Sequence, residues 1–184
     1  MKIFINPGHA PDGNPDPGAC NPNSGLRECD VAKSVGEKTA EYLRAAGYEV
    51  IVLQSDSLDE IVDTANNWPA AVFVSIHCNS ASPQAHGIEI FTTPGPTDAD
   101  QLATAIIDQA SKTFPALMVR ADWSDGDADK EARFYVIKNT DAPAVLFEMP
   151  FISNDEEAAL MATNSFQETM AAAIARGVTD YVSK

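Results

Sequence analysis

Short runs of Val, Ile and Phe alternate along this chain with longer stretches of helical period, and that alternation most narrows what it can fold into. The apolar runs are Ile3–Asn6, Tyr48–Leu53, Val72–Ile76, Ile88–Thr92, Phe134–Ile137 and Ala144–Phe147. Their length and content of β-branched and aromatic residues suit buried strands. Between them, Val31, Val35, Tyr42, Leu43 and Ala46 recur on one helical face, and Gly47 is placed to end that helix. Leu58–Asn67 predicts a second helix, stopped near Trp68-Pro69. Leu102, Ala103, Ile106, Ile107 and Ala110 mark a third. A fourth is expected from about Phe166 to Val182, with Ser165 and Glu168 spaced as a capping box. Strands alternating with helices predict a single-domain α/β sandwich with a mainly parallel sheet. Only Lys138 to Pro143 separate the last two apolar runs, too few residues for a helical crossover. That pair is therefore expected to be antiparallel, making a mixed sheet of about six strands flanked by helices.

At 184 residues, 45% hydrophobic and 21% charged, the chain fits one globular domain over residues 1–184. Its formal charge of −15 opposes non-specific binding to nucleic acid, which needs Lys and Arg at phosphates, and adsorption to anionic surfaces. No apolar stretch approaches the roughly 20 residues of a membrane span, so no membrane insertion is expected. Lys2 to Asn6 reads as a first strand and not as a signal peptide, which favours synthesis in the cytoplasm. Cys20, Cys29 and Cys78 form an odd set without a CxxC pair, against a disulfide framework. Cys78 follows His77 but alternates to the opposite side of the strand, as a packing residue would. Pro11–Asn23 and Ala121–Ala132 are loop-like and suited to rim a site. Within the second, Asp125, Asp127, Asp129 and Glu131 have a calcium-loop rhythm. Lys130 stands where the turn needs Gly, and Val136 where a bidentate Glu belongs, so a solvated acidic loop is expected.

The chemistry gathers around two histidines. His9 follows Ile3–Asn6 closely and His77 follows Val72–Ile76 at once. In a parallel α/β sheet the carboxyl ends of strands share the edge where ligands bind. Glu28 stands just ahead of a helix expected to start near Asp30 or Val31, where the helix dipole favours a carboxylate. Glu148 ends the run Ala144–Phe147, where burial without a partner is costly. His9, Glu28 and His77 make a His2Glu set suited to catalytic zinc, with a fourth position left for water. A second glutamate would then serve as proton carrier. The residues alone leave open which glutamate binds and which carries the proton.

In order along the chain stand Asn6-Pro7-Gly8-His9, Asp16-Pro17-Gly18-Ala19, Gly25-Leu26-Arg27-Glu28, Ser75-Ile76-His77-Cys78-Asn79, Gly87-Ile88-Glu89 and Pro143-Ala144-Val145-Leu146-Phe147-Glu148, then Phe151-Ile152-Ser153-Asn154. This series resembles the zinc-dependent N-acetylmuramoyl-L-alanine amidases of the amidase_3 type. The resemblance implies Zn2+ held by His9, Glu28 and His77, with Glu148 as the catalytic carboxylate. It implies hydrolysis of the amide between N-acetylmuramic acid and L-alanine in peptidoglycan, in an endolysin or autolysin catalytic domain. Asn6, Asn79 and Glu89 become candidates for contacts to substrate or to the ligand side chains. Two departures stand out: Asn6 and Ala10-Pro11 replace an Asp start and a Gly-Gly continuation, and Met149-Pro150-Phe151 follows Glu148 where Gly commonly precedes Phe. The alternatives are another zinc amidase or exopeptidase on small peptides, or a non-catalytic wall-binding module. A wall-binding partner or missing domain, and release through a holin or by lysis, complete the expectation.

Overall fold

The computed structural model describes residues 1–124 and 126–184; Asp125 of the acidic series lies outside them. Along the chain run β1 (Lys2–Pro7), α1 (Glu28–Ala45), β2 (Glu49–Val52), α2 (Leu58–Asn67), β3 (Val72–Cys78), β4 (Glu89–Thr92), α3 (Asp98–Thr113), β5 (Lys130–Glu131), α4 (Tyr135–Asn139), β6 (Ala144–Met149), α5 (Asp155–Met161) and α6 (Asn164–Val182). The strands form one sheet in the order β2-β1-β3-β6-β4-β5. Its neighbours are parallel except β4 and β6, which run antiparallel. The mixed α/β sandwich expected from the sequence is the observed fold.

Alternation along each strand sorts side chains onto two faces. Ile3, Ile5, Val72, Val74, Ile76, Val145 and Phe147 share one face with Val31 and Val35 of α1, Leu102 and Ile106 of α3, and Met170 and Ile174 of α6. Phe4, Phe73, Ala144 and Leu146 share the other with Ile61 and Ala65 of α2 and Val136 and Ile137 of α4. Phe4 and Phe73 stack there with ring centroids 5.5 Å apart. Burying each such ring contributes about 1.5–3 kcal/mol. Among the described residues, the short helices α2 and α4 cover this second face. His77 and Glu148 fall on it by alternation, beyond the apolar cluster, and there the sheet carries its chemistry.

Several boundaries differ from the expectation for definite reasons. Phe134–Ile137 is not a strand: Phe134 precedes α4, and Val136 and Ile137 turn into the second core. Both edges of β6 are already taken by β3 and β4, so the antiparallel partner of Ala144–Phe147 is β4. The loop Ala121–Ala132 contributes β5 to the sheet edge through Phe91–Lys130 and Thr92–Glu131. Helix α1 starts at Glu28 itself, earlier than Asp30. Helix α6 is capped by Thr163, whose side chain accepts from the Phe166 N–H. Ser165 is therefore inside the helix, and Glu168 instead accepts from the Tyr42 hydroxyl and pairs with Lys38. Helix α5, capped by Asn154, had no counterpart in the sequence reading.

Candidate metal centre and its surroundings

After β1 the chain turns at His9, which holds a φ of 66°, a left-handed conformation costly for a residue with a Cβ. The turn is fixed on one side by the Gly8 N–H, which donates to Ile76 O at 2.9 Å. On the other side His9 Nδ1 lies 2.7 Å from Asp16 Oδ2, while Asp16 Oδ1 accepts from the Gly18 N–H. With Nδ1 engaged, Nε2 is presented inward, 3.0 Å from Glu28 Oε1. His77, next to last in β3, brings Nδ1 to 3.0 Å from the same oxygen. The two imidazoles meet edge to face with centroids 5.0 Å apart.

Glu28 is only 4% exposed, and its position is set by backbone donors. Oε2 accepts from the Ala19 N–H at 2.8 Å and Oε1 from the Cys78 N–H at 3.0 Å. Burial opposes its ionisation, but hydrogen bonds and charge from His77 and His9 hold the carboxyl well below the usual range. Burial likewise opposes a charge on His9, yet Glu28 and Asp16 together raise it to about 9. One ligand atom from each of His9, Glu28 and His77 lies within 4.8 Å of the others. Gly18 packs so closely that a Cβ would meet His9 Nε2 and Glu28 Oε2, each at 2.7 Å. A side chain there would occupy the cradle.

Strand register extends the site sideways. His77 pairs with Glu148 across β3 and β6, and Glu148 with Glu89 across β6 and β4. The three stand in one row on the face of Phe73 and Leu146. Burial pushes Glu148 up to about 7; the charge of His77 opposes the shift, and those of Glu28 and Glu89 add to it. Glu148 Oε2 is buried without a hydrogen-bond partner. Glu89 differs. Although burial disfavours its charge, Arg120 and Lys130 both bond its Oε1 and keep its carboxyl low. Asn79 bridges Met149 O and the Ile152 N–H through its backbone, while its Nδ2 is buried without a hydrogen-bond partner. A pocket of about 180 Å3 opens beside His9 and His77, walled by Leu58, Ile61, Phe134 and Tyr135.

The family profile described as N-acetylmuramoyl-L-alanine amidase matches residues 3–180. The chain belongs to that family. Among similar curated proteins, the amidase AmiC of Neisseria meningitidis is 30% identical over 98% of this chain and 52% of its own length. The endolysin of Bacillus phage SPP1 is 30% identical over 98% of this chain and 66% of its own length. The chain thus spans about half to two thirds of these relatives. A solved structure of AmiC2 from Nostoc punctiforme superposes with a TM-score of 0.88 at 28% identity, covering 100% of this chain and 98% of that one.

The amidase fold brings His9, Glu28, His77 and Glu148 into one site and sets Glu89 beside them. Asn6 takes a different place from a His9 partner. Its Nδ2 donates to Pro7 O and Leu53 O, its Oδ1 accepts from Ser75 Oγ, and it ties β1 to β3 and to the end of β2. Asp16 holds the ring instead. In the sequence Asp16 stands only within Asp16-Pro17-Gly18-Ala19; a carboxylate seven residues past a histidine in a Gly-Pro turn is the available signal. No sequence pattern marks Arg120 or Lys130, because their meeting at Glu89 depends on β5 for Lys130 and on the bridge of Val119 to Ile88 for Arg120. Pro150 leaves the backbone after Glu148 well held: Glu157, bonded also to the Gly87 N–H, accepts from the Phe151 N–H at 2.6 Å. Cys78 is in the opposite core, and His86 bonds Gln84 O on an exposed loop. Carboxylates that orient a metal-binding imidazole typically contribute about 10–100-fold to affinity. If the cluster holds a divalent metal ion, Asp16→Asn is expected to weaken binding of the added ion by about that factor while leaving the folded far-UV spectrum unchanged, as competition with a chromogenic chelator would show.

Proposed function

We propose that His9, Glu28 and His77 hold a zinc ion and that the site hydrolyses the amide between N-acetylmuramic acid and L-alanine in peptidoglycan. The observation that carries this reading is the convergence of His9 Nε2, Glu28 Oε1 and His77 Nδ1 beside the unpartnered Glu148 oxygen. The donor set fits the ion: two imidazole nitrogens and one carboxylate oxygen suit zinc, and three protein ligands leave a position open for chemistry. A zinc ion there supplies a Lewis acid that polarises the amide carbonyl and acidifies water.

The remaining work falls to the chain itself. Glu28 is pinned by the Ala19 and Cys78 amides, so it stays among the ligands. Glu148 takes a proton from the attacking water and returns it to the departing L-alanine amine, a task matched to a pKa near the working pH. Glu89, held by Arg120 and Lys130, stays ionised, and its negative charge adds to the upward shift of Glu148 that makes it a better base. The Asn79 side chain lies beside Glu89 and helps to keep that carboxyl ionised. The wall of Leu58, Ile61, Phe134 and Tyr135 receives an apolar part of the substrate.

None of the helices among the described residues is long and apolar enough to cross a membrane. A charge of −15 gives no general attraction to an anionic wall. In this reading a wall-binding partner or module supplies attachment, and the wall is reached after holin-mediated release or lysis. Digestion of purified sacculi tests the bond assigned. New L-alanine amino groups should accumulate without new reducing sugar. Reducing ends without amines, or sacculus binding without any product from zinc-loaded protein, would overturn the assignment.

A further inference from the structure

A second group of carboxylates lies away from the histidines, on the loop that carries β5. Asp129 is only 3% exposed, so the solvated loop expected from the sequence is wrong at this position. Its Oδ2 accepts from Thr92 Oγ1 at 2.6 Å. Its Oδ1 has neither a hydrogen-bond partner nor solvent, and the same is true of Asp127 Oδ1. The Asp127 carboxyl faces that of Asp129 within hydrogen-bond reach. A buried carboxylate facing a second, half-buried one needs a compensating positive charge or a shared proton.

Among the described residues, no Lys or Arg pairs with either one. Lys130, next in the chain, bonds Glu89. Glu131 accepts from the Gly95 N–H, and Asp100 of α3 adds further negative charge. Burial, then the facing Asp127, raises Asp129 to about 7. A surface cleft of about 430 Å3 leads to Asp129 and is bordered by Asp122, Ser124 and Glu131. Every side-chain donor at its rim other than Lys130 is an oxygen. That chemistry selects a hard cation and disfavours zinc.

We propose that Asp127 and Asp129 bind a hard divalent cation, Ca2+ foremost, which fastens this loop to the sheet edge at Thr92. Arg120 and Lys130, both bonded to Glu89, flank the fastened segment. The cation therefore acts on the rigidity of the charged group beside Glu148 without belonging to the zinc site.

Terbium luminescence tests the proposal, because Trp123 lies in the same loop and serves as the antenna for a bound lanthanide. With the zinc-loaded chain, Tb3+ should give saturable Trp-sensitised emission that Ca2+ displaces, and Ca2+ should raise the thermal midpoint. Asp127→Asn with Asp129→Asn should weaken Tb3+ binding about tenfold or more and abolish the Ca2+ shift while zinc content stays the same. Trp123→Phe should dim the emission but keep the shift. His77→Ala, which removes a zinc ligand, should leave both signals in place, so failure of the zinc reading and failure of this one are distinguishable. Emission that survives the paired asparagines, or a midpoint of the parent chain insensitive to Ca2+, would overturn the proposal. So would asparagines that raise the midpoint equally with and without Ca2+, the mark of a shared proton.

Discussion

Replacing Glu148 with Gln is expected to lower kcat on peptidoglycan by a factor of about 10²–10⁴ while zinc content stays at that of the parent. The substitution keeps the shape of a side chain that makes no hydrogen bond to His9, Glu28 or His77, so their cluster should persist. Turnover and metal analysis on the same sample check the claim, and activity near that of the parent would remove Glu148 from its role. The same variant carries a signature in stability. Burial raises the Glu148 carboxyl to about 7, so the folded protein holds its proton more tightly than the unfolded chain does. That contribution is fully present below the ordinary carboxyl pKa and is lost as pH rises through about 7. In metal-stripped protein, Gln avoids the loss. The variant should therefore match the parent near pH 4 and gain about 2–6 °C in thermal midpoint by pH 8. An activity loss accompanied by greater stability distinguishes a buried base from a merely structural carboxylate.

His77→Ala is expected to be the more severe change for the metal. It removes one of the two imidazoles and leaves Glu28 Oε1 with His9 and the Cys78 amide. Zinc retained after desalting should fall to a small fraction of one per chain, and hydrolysis to below about a thousandth of the parent rate. The fold should survive, since His77 is partly exposed and belongs to neither apolar cluster. A variant that keeps full zinc occupancy would show that His77 is no ligand. Comparison with Asp16→Asn then separates holding the ion from orienting the residue that holds it.

How much of this was legible in the sequence follows from the kind of signal each residue gives. His9 and His77 could be placed because apolar runs with strand-like content end beside them, and strand ends in such sheets converge. Glu28 and Glu148 could be found but not told apart by pattern; only the resemblance separated them. In the structure two backbone amides fix Glu28, while Glu148 keeps an unbonded oxygen, a difference no sequence pattern reports. Asp16 was hidden because its task depends on a left-handed turn at His9, which no periodicity reports. The error at Phe134–Ile137 has a different origin. Four apolar residues suit a strand or a buried helical turn equally well, and the choice was made by β6 having both edges occupied. Asp129 was misread because its burial comes from Thr92 on a strand far away in sequence.

The pairing of β3, β6 and β4 has a consequence for how reliably the chain makes an active molecule. His77, Glu148 and Glu89 meet only in the observed register. If β6 slipped by one residue, Glu148 would pass to the opposite face, among Ile, Val and Leu side chains, while Phe147 would turn toward the ligands. Such a slip would strand a carboxylate in a dry core and also forfeit apolar burial, so a wrongly aligned chain is selected against before any substrate is met. Catalytic alignment is thus checked during folding by the alternation that builds the sheet.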